Sequence, residues 1–156
     1  MSGTSAQIIW QWSRFQDLAP EDLYEIVRLR EVVFVVEQKC AYLDADGRDP
    51  AAWHLLGWRD EAGARRLAAY ARIFEPGIRY PEGSVGRVVT APDARRSGVG
   101  RQLMAEALRR LDGLAPGQPV RIAAQRYLES FYSSFGFKPA SPPYEEDGII
   151  HVDMLR

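Results

Sequence analysis

A chain of 156 residues that is 46% hydrophobic and 11% aromatic carries enough apolar material for one core, and its length suits a single domain spanning residues 1–156. A formal net charge of -1 gives no long-range pull toward nucleic acid or an anionic membrane, so any phosphate must be held by a local cluster of charge. The lone cysteine, Cys40, excludes an internal disulfide, no apolar run approaches the roughly 20 residues of a membrane span, and the opening MSGTSAQIIWQW lacks the basic and apolar regions of a secretion signal, so a reducing, cytoplasmic setting is expected.

In chain order, IIWQW (Ile8 to Trp12) reads as a short strand. PEDLYEIVRLREVVF then predicts an amphipathic helix, with Leu23, Ile26, Val27 and Val33 on its apolar face, Glu21, Asp22, Glu25 and Arg28 on the other, and Pro20 in the first turn. AYLDADGRDPAAW is turn-rich. Counted from Asp44, it places Asp49 and Leu55 where a calcium loop needs glycine and glutamate, so no metal site is expected there. HLLGWRD and RLAAYARIF are two strands separated by EAGA, which should pair as a hairpin. SVGRVVT (Ser84 to Thr90) is a further strand. Val99, Leu103, Ala107, Leu108 and Leu111 then form the buried stripe of a helix that stops near Asp112 and Gly113. VRIAAQ (Val120 to Gln125) reads as a strand, YLESFYSSF as a short helix and GIIHVDML as a last strand. This order predicts an α/β or α+β layered domain.

The most informative stretch is TAPDARRSGVGRQLM, from Thr90 to Met104. Gly98 and Gly100 at the start of a helix allow backbone N–H groups to approach an anion, the helix dipole adds attraction, and Arg95, Arg96 and Arg101 surround the turn with charge. The stretch does not fit a nucleotide P-loop, because no lysine lies near it. Nor does it fit a Rossmann turn, which needs glycine or alanine at Leu103 and a shorter approach from the strand than Ala91 to Ser97, and this disfavours an NAD-binding oxidoreductase. Taken alone, the loop reads equally as a surface turn before a solvated, arginine-rich helix face.

Its surroundings add to it. RRSGVG (Arg95 to Gly100) followed by a helix, a strand and Y-x-x-x-G-F (Tyr132 to Phe137) resembles the GNAT superfamily of N-acetyltransferases, whose pyrophosphate loop has the form [RQ]-x-x-G-x-[GA]. LYEIVRLREVVFVVEQKCAYLDADGRD, AAQ, FYSSFGF and YEEDGIIHVDM together resemble the ElaA-type branch of that superfamily almost from end to end. Ile150 stands where that branch usually has proline. The resemblance implies a mixed, largely antiparallel central sheet flanked by helices, with a parallel pair, SVGRVVT and VRIAAQ, splayed at its centre. It also implies acetyl-CoA as cosubstrate, without a metal. The backbone of Val88, Val89 and Thr90 would pair with the pantetheine arm, and Arg95, Arg96, Ser97, Gly98, Val99, Gly100 and Arg101 would hold the pyrophosphate. Transfer would run directly from the thioester to the primary amine of a small molecule or peptide.

That chemistry requires a neutral amine, donors for the carbonyl oxyanion and a proton for the departing thiolate. A backbone N–H near Val88 or Val89 serves as oxyanion donor if the strand is bulged there. Tyr132 is the candidate acid, since a phenol keeps its proton at neutral pH; a core tyrosine on the stripe Leu128, Phe131, Tyr132, Phe135 has the same spacing. Glu37, at the end of the apolar run VVFVVE, is the candidate base, alongside a water-relayed one, with His54, His151, Glu146 and Asp147 as other groups within the sequence. Both histidines fall in strands, which favours structural roles. YEEDG with Asp44, Asp46 and Asp49 reads either as a lure for a cationic amine or as solvated loop. Cys40 reads as a small hydrophobe. A CoA-binding sensor or scaffold without turnover is the alternative function, and monomer and homodimer both remain open.

Overall fold

The computed structural model describes residues 7–156, so the first six residues of the stretch read above for a secretion signal lie outside it. In chain order the elements are β1 (Ile9–Arg14), α1 (Pro20–Arg30), β2 (Trp53–Glu61), β3 (Ala64–Phe74), β4 (Gly83–Thr90), α2 (Val99–Leu114), β5 (Val120–Gln125), α3 (Glu129–Ser133), β6 (Lys138–Pro139), β7 (Tyr144–Glu146) and β8 (Ile149–Leu155). The strands form one mixed sheet in the order β1-β2-β3-β4-β5-β8-β6, with β7 also on β8. Every pairing is antiparallel except β4 with β5.

β3 runs through the middle of the first half, and its residues from Leu67 to Phe74 are all buried. Helices on both faces explain why AAYARIF is continuously apolar except for Arg72 instead of alternating. On one face α2 buries Val99, Leu103, Met104, Ala107, Leu108 and Leu111, the stripe expected from the sequence extended by Met104. β2 and β3 do form a hairpin, and its turn carries Ala62 at φ 53° and Gly63 at φ 80°, both left-handed as a type I′ turn requires.

The first helix departs from expectation in two ways. Its buried residues are Asp22, Ile26, Leu29 and Arg30, whereas Val27 is exposed. Asp22 can turn inward because Arg65 Nη2 donates to it at 2.6 Å and Gln11 Nε2 at 3.3 Å, compensating its charge. The α-helix also ends at Arg30 and continues as a π-helical segment, Glu31–Glu37, closed by bonds from Gln38 N–H to Val33 C=O and Cys40 N–H to Val35 C=O. Valine-rich VVFVV carries no helix-breaking residue, so nothing in its composition marked the change of winding.

Two irregularities of β4 shape the centre. It pairs with β5 only at Gly83 with Val120 and Ser84 with Arg121, after which the strands diverge while β5 continues along β8. On its other edge, Arg72 of β3 faces Gly86 whereas Tyr70 faces Val89, so β4 carries one extra residue, a bulge, and Arg87 within it has φ 49°.

Candidate active site

The divergence of β4 from β5 opens a cleft of about 740 Å³, a size typical of ligand pockets. Its walls come from the π-helical segment, the loop after Cys40, β4, β5, α3 and the β7–β8 turn. Val88, Val89 and Thr90 line it, as do Glu37, Arg95 and Tyr132, so the structure gathers half of the expected site residues at one place, whereas Arg96 to Arg101 are not part of its lining. Ala91 N–H donates to Ala68 C=O at 2.8 Å, and amides alternate along a strand. The Thr90 and Val88 N–H groups therefore face away from β3, toward the side that β5 leaves open.

At the far end of β4 the chain turns through a short 3-10 segment, Pro92–Ala94, into the arginine loop. Arg96 has φ 63° and Gly98 φ 83°, and Gly98 caps α2 without any side-chain hydrogen bond to the helix amides. The first return bond is Gln102 N–H to Gly98 C=O, which leaves the amides at the front of this 16-residue helix to another acceptor. A Cβ at Gly100 would touch only Thr90 Cγ2, at 3.7 Å, so packing does not demand glycine there. Bare backbone, free amides and the exposed Arg95, Arg96 and Arg101 fit a pyrophosphate. Val99 differs from its neighbours: its side chain is core, leaving only its backbone to the loop. Arg101 donates to Ser134 Oγ at 3.1 Å and lies 4.9 Å from the centre of the Phe135 ring.

Tyr132 is 7% exposed, packed edge-on against Phe131 and Phe137, and borders the cleft. Burial raises its phenol well above the ordinary 10.0, and the nearby Tyr127 adds to this. Among the described residues its hydroxyl has no hydrogen-bond partner. Glu37 and Arg95, one expected as base and the other as phosphate ligand, grip each other at 2.6 and 3.1 Å across the rim. Both are about 40% exposed, so solvent screens the pair.

The two histidines separate by their bonding. His54 is fully buried, with Nε2 2.9 Å from Asp49 C=O and Nδ1 2.7 Å from the Tyr70 hydroxyl. A carbonyl only accepts, so Nε2 carries the proton and Nδ1 accepts from tyrosine, the structural role read from sequence. His151 uses only Nδ1, toward Ile149 C=O at 2.8 Å, stacks on Tyr144 and borders the cleft. Glu146 and Asp147 sit exposed on the same rim. Cys40 is buried, its Sγ 3.3 Å from Asp147 C=O.

Asp44, Asp46 and Asp49 are neither a lure for amines nor a solvated loop. Arg30 Nε donates to Asp44 at 2.7 Å and its Nη1 to Asp49 at 2.8 Å; Arg72 reaches Asp46 at 2.8 and 2.9 Å and Asp49 at 3.0 Å. Arg87 Nε lies 2.9 Å from Asp44 Oδ1. Burial would raise the pKa values of Asp46 and Asp49, but the arginines prevail and hold both below the ordinary 3.8. Three arginines on α1, β3 and β4 thus neutralise three aspartates of one loop. Sequence reading missed this because the partners lie 14 to 43 residues apart and two of the arginines sit in apolar runs.

A model of the family described as "Acetyltransferase (GNAT) domain" matches residues 62–156. Protein ElaA of Escherichia coli is 41% identical over 151 residues, covering 96% of each chain, and its crystal structure superposes with a TM-score of 0.87. A UPF0039 protein of Synechocystis is 43% identical over 149 residues, covering 96% of this chain and 95% of that one. The crystal structure of an acyl-CoA N-acyltransferase from Pseudomonas aeruginosa has a TM-score of 0.88 at 38% identity, covering 96% of this chain and 99% of that one.

Proposed function

Since the chain belongs to the GNAT acetyltransferase family and is an acyltransferase, we propose that it moves an acetyl group from acetyl-CoA directly to a primary amine of a small molecule or peptide. The observation that carries the reading is the opening of β4 from β5, with the arginine loop and the uncapped front of α2 at one end and Tyr132 on its wall. The outward amides of β4 receive the amide-bearing arm of the donor as a sheet edge receives a strand, and the loop from Arg95 to Arg101 takes its pyrophosphate. The Val88 N–H, turned by the bulge, donates to the thioester oxygen as negative charge develops there. The amine nitrogen bonds to the carbonyl carbon, the carbon–sulfur bond breaks, and Tyr132 gives its proton to the sulfur. A base removes the amine proton. Glu37 fills that role once Arg95 turns from it to the pyrophosphate, directly or through water.

Calorimetric titration with acetyl-CoA, with NAD as control, tests the donor. One-to-one binding of acetyl-CoA alone is expected, and replacing Arg95 with alanine should weaken it by about tenfold, the scale of one exposed charge-assisted contact. Absence of acetyl-CoA binding would defeat the proposal. Binding without transfer to any of a broad panel of amines would leave a CoA-binding module in place of an enzyme.

A further inference from the structure

We infer that Arg87 is a positioning residue, whose guanidinium, held by the loop carboxylates of Asp44 and Asp46, keeps the β4 bulge in the conformation that turns the Val88 N–H into the cleft. The inference rests on the cleft being the acyl-transfer site.

Arg87 is a non-glycine residue at φ 49° in the middle of a strand. Such a conformation persists only where the surroundings over-determine it, and glycine would adopt it without strain. Arginine there implies that the side chain is needed. Its Nε lies 2.9 Å from Asp44 Oδ1, and its Nη2 donates to Asp44 C=O at 3.1 Å and to Asp46 Oδ2 at 3.4 Å. These acceptors are themselves fixed. Asp44 is buried and held by Arg30 at 2.7 Å and by the Tyr42 hydroxyl at 2.6 Å.

Asp46 adds a cross-strand link. It takes two hydrogen bonds from Arg72, and Arg72 is the β3 residue that faces Gly86, just before the bulge. One carboxylate thereby ties β3 to the bulge residue itself. Without that tie, residue 87 can relax to the extended backbone that an alanine prefers. The peptide plane between residues 87 and 88 would then rotate and carry the Val88 N–H out of the cleft, while the pairing of Val89 and Thr90 with β3 is kept. The charges act on the reaction through the backbone.

Nuclear magnetic resonance of Arg87→Ala, Arg87→Gly and wild-type protein tests this. In the ligand-free proteins, backbone chemical shifts should report a left-handed residue 87 in wild type and Arg87→Gly, and an extended one in Arg87→Ala. With carbonyl-labelled [1-13C]acetyl-CoA, the bound carbonyl resonance should move downfield in wild type and Arg87→Gly but remain at its free position in Arg87→Ala, with affinity within about threefold. Once an acceptor amine is in hand, kcat of Arg87→Ala should fall by about 10²-fold, the effect of removing one oxyanion donor, with little change in KM for acetyl-CoA. Glycine outperforming alanine follows from the left-handed backbone itself, so Asp46→Asn, which leaves residue 87 unchanged, separates the hold of the carboxylate from backbone preference.

A left-handed residue 87 in Arg87→Ala, or an equal loss of carbonyl shift in the alanine and glycine variants, would overturn the inference. Should Arg87→Ala not fold, Asp46→Asn provides the same comparison: the carbonyl shift should diminish, and its retention would count against the clamp. Failure of wild-type protein to bind acetyl-CoA would instead refute the reading of the cleft, and the free-protein spectra would still decide the clamp.

Discussion

Tyr132 sits on a helix of only five residues, and the rings of Phe131 and Phe137 hold it edge-on at 5.2 and 6.1 Å. The aromatic stripe seen in the sequence and the tyrosine on the cleft wall are therefore one arrangement: a ring fixed by core packing at the border of the cleft, where the proposed acid is needed. Burial keeps the phenol protonated beyond its ordinary range, so the pH profile of the reaction should show no loss of this acid up to about pH 10. Replacing Tyr132 with phenylalanine preserves the packing, and kcat should fall by about 10² or more while acetyl-CoA binding is retained, read by steady-state kinetics beside calorimetry. Arg30 shows the opposite case. At 2% exposure its side chain was invisible as a buried ion partner because it occupies a helical position flanked by leucine and glutamate, like any surface arginine.

At the scale of elements, strands and helices were legible where a local pattern sufficed. β5 spans the residues expected, β2 and β3 pair through the expected turn, and α2 buries its expected stripe. The turn is itself improvable. Ala62 bears a left-handed φ at a position where asparagine is preferred, so Ala62→Asn should stabilise the protein by about 0.5–1 kcal/mol, measured as a higher urea midpoint with an unchanged slope. The bulge was not legible, since it depends on how β4 registers against β3, and Arg87 is not glycine. The π-helical segment and the two- and three-residue strands β6 and β7 were not legible either. Their winding and pairing follow from what lies above them in the fold.

For the molecule as a whole, the expected layers came from the order of elements, the loop at α2 from its glycines and arginines, and the parallel pair from the family resemblance, whereas the arginine–aspartate cluster came only from the fold. That cluster and His54 make stability depend on acidity. Burial holds the His54 imidazole below its ordinary 6.5, despite Asp49. Below pH 6.5 the unfolded chain takes up a proton that the native protein refuses, so the stabilisation present above that pH is lost as pH falls toward the native value. Asp46 and Asp49, whose values lie below 3.8, add a second loss only below about pH 4. Thermal midpoints should therefore decline from pH 7 to 5, with His54 contributing at most about 1.4 kcal/mol per pH unit, and His54→Gln should flatten that part of the curve. An equal decline in the variant would assign it to other groups.

The divergence of β4 from β5 has a further consequence for self-association. An open sheet edge is the part of a fold most liable to recruit stray chains, since its unpaired amides and carbonyls accept any strand offered to them. In this protein the strands part after Ser84, so the unpaired edges of β4 and β5 face one another across a cleft, while the outer edge of β1 closes the sheet at one end. The π-helical segment and α3 wall the same cleft. At this gap the adhesiveness that makes an exposed edge prone to aggregation is turned inward, toward a guest lying between the two strands.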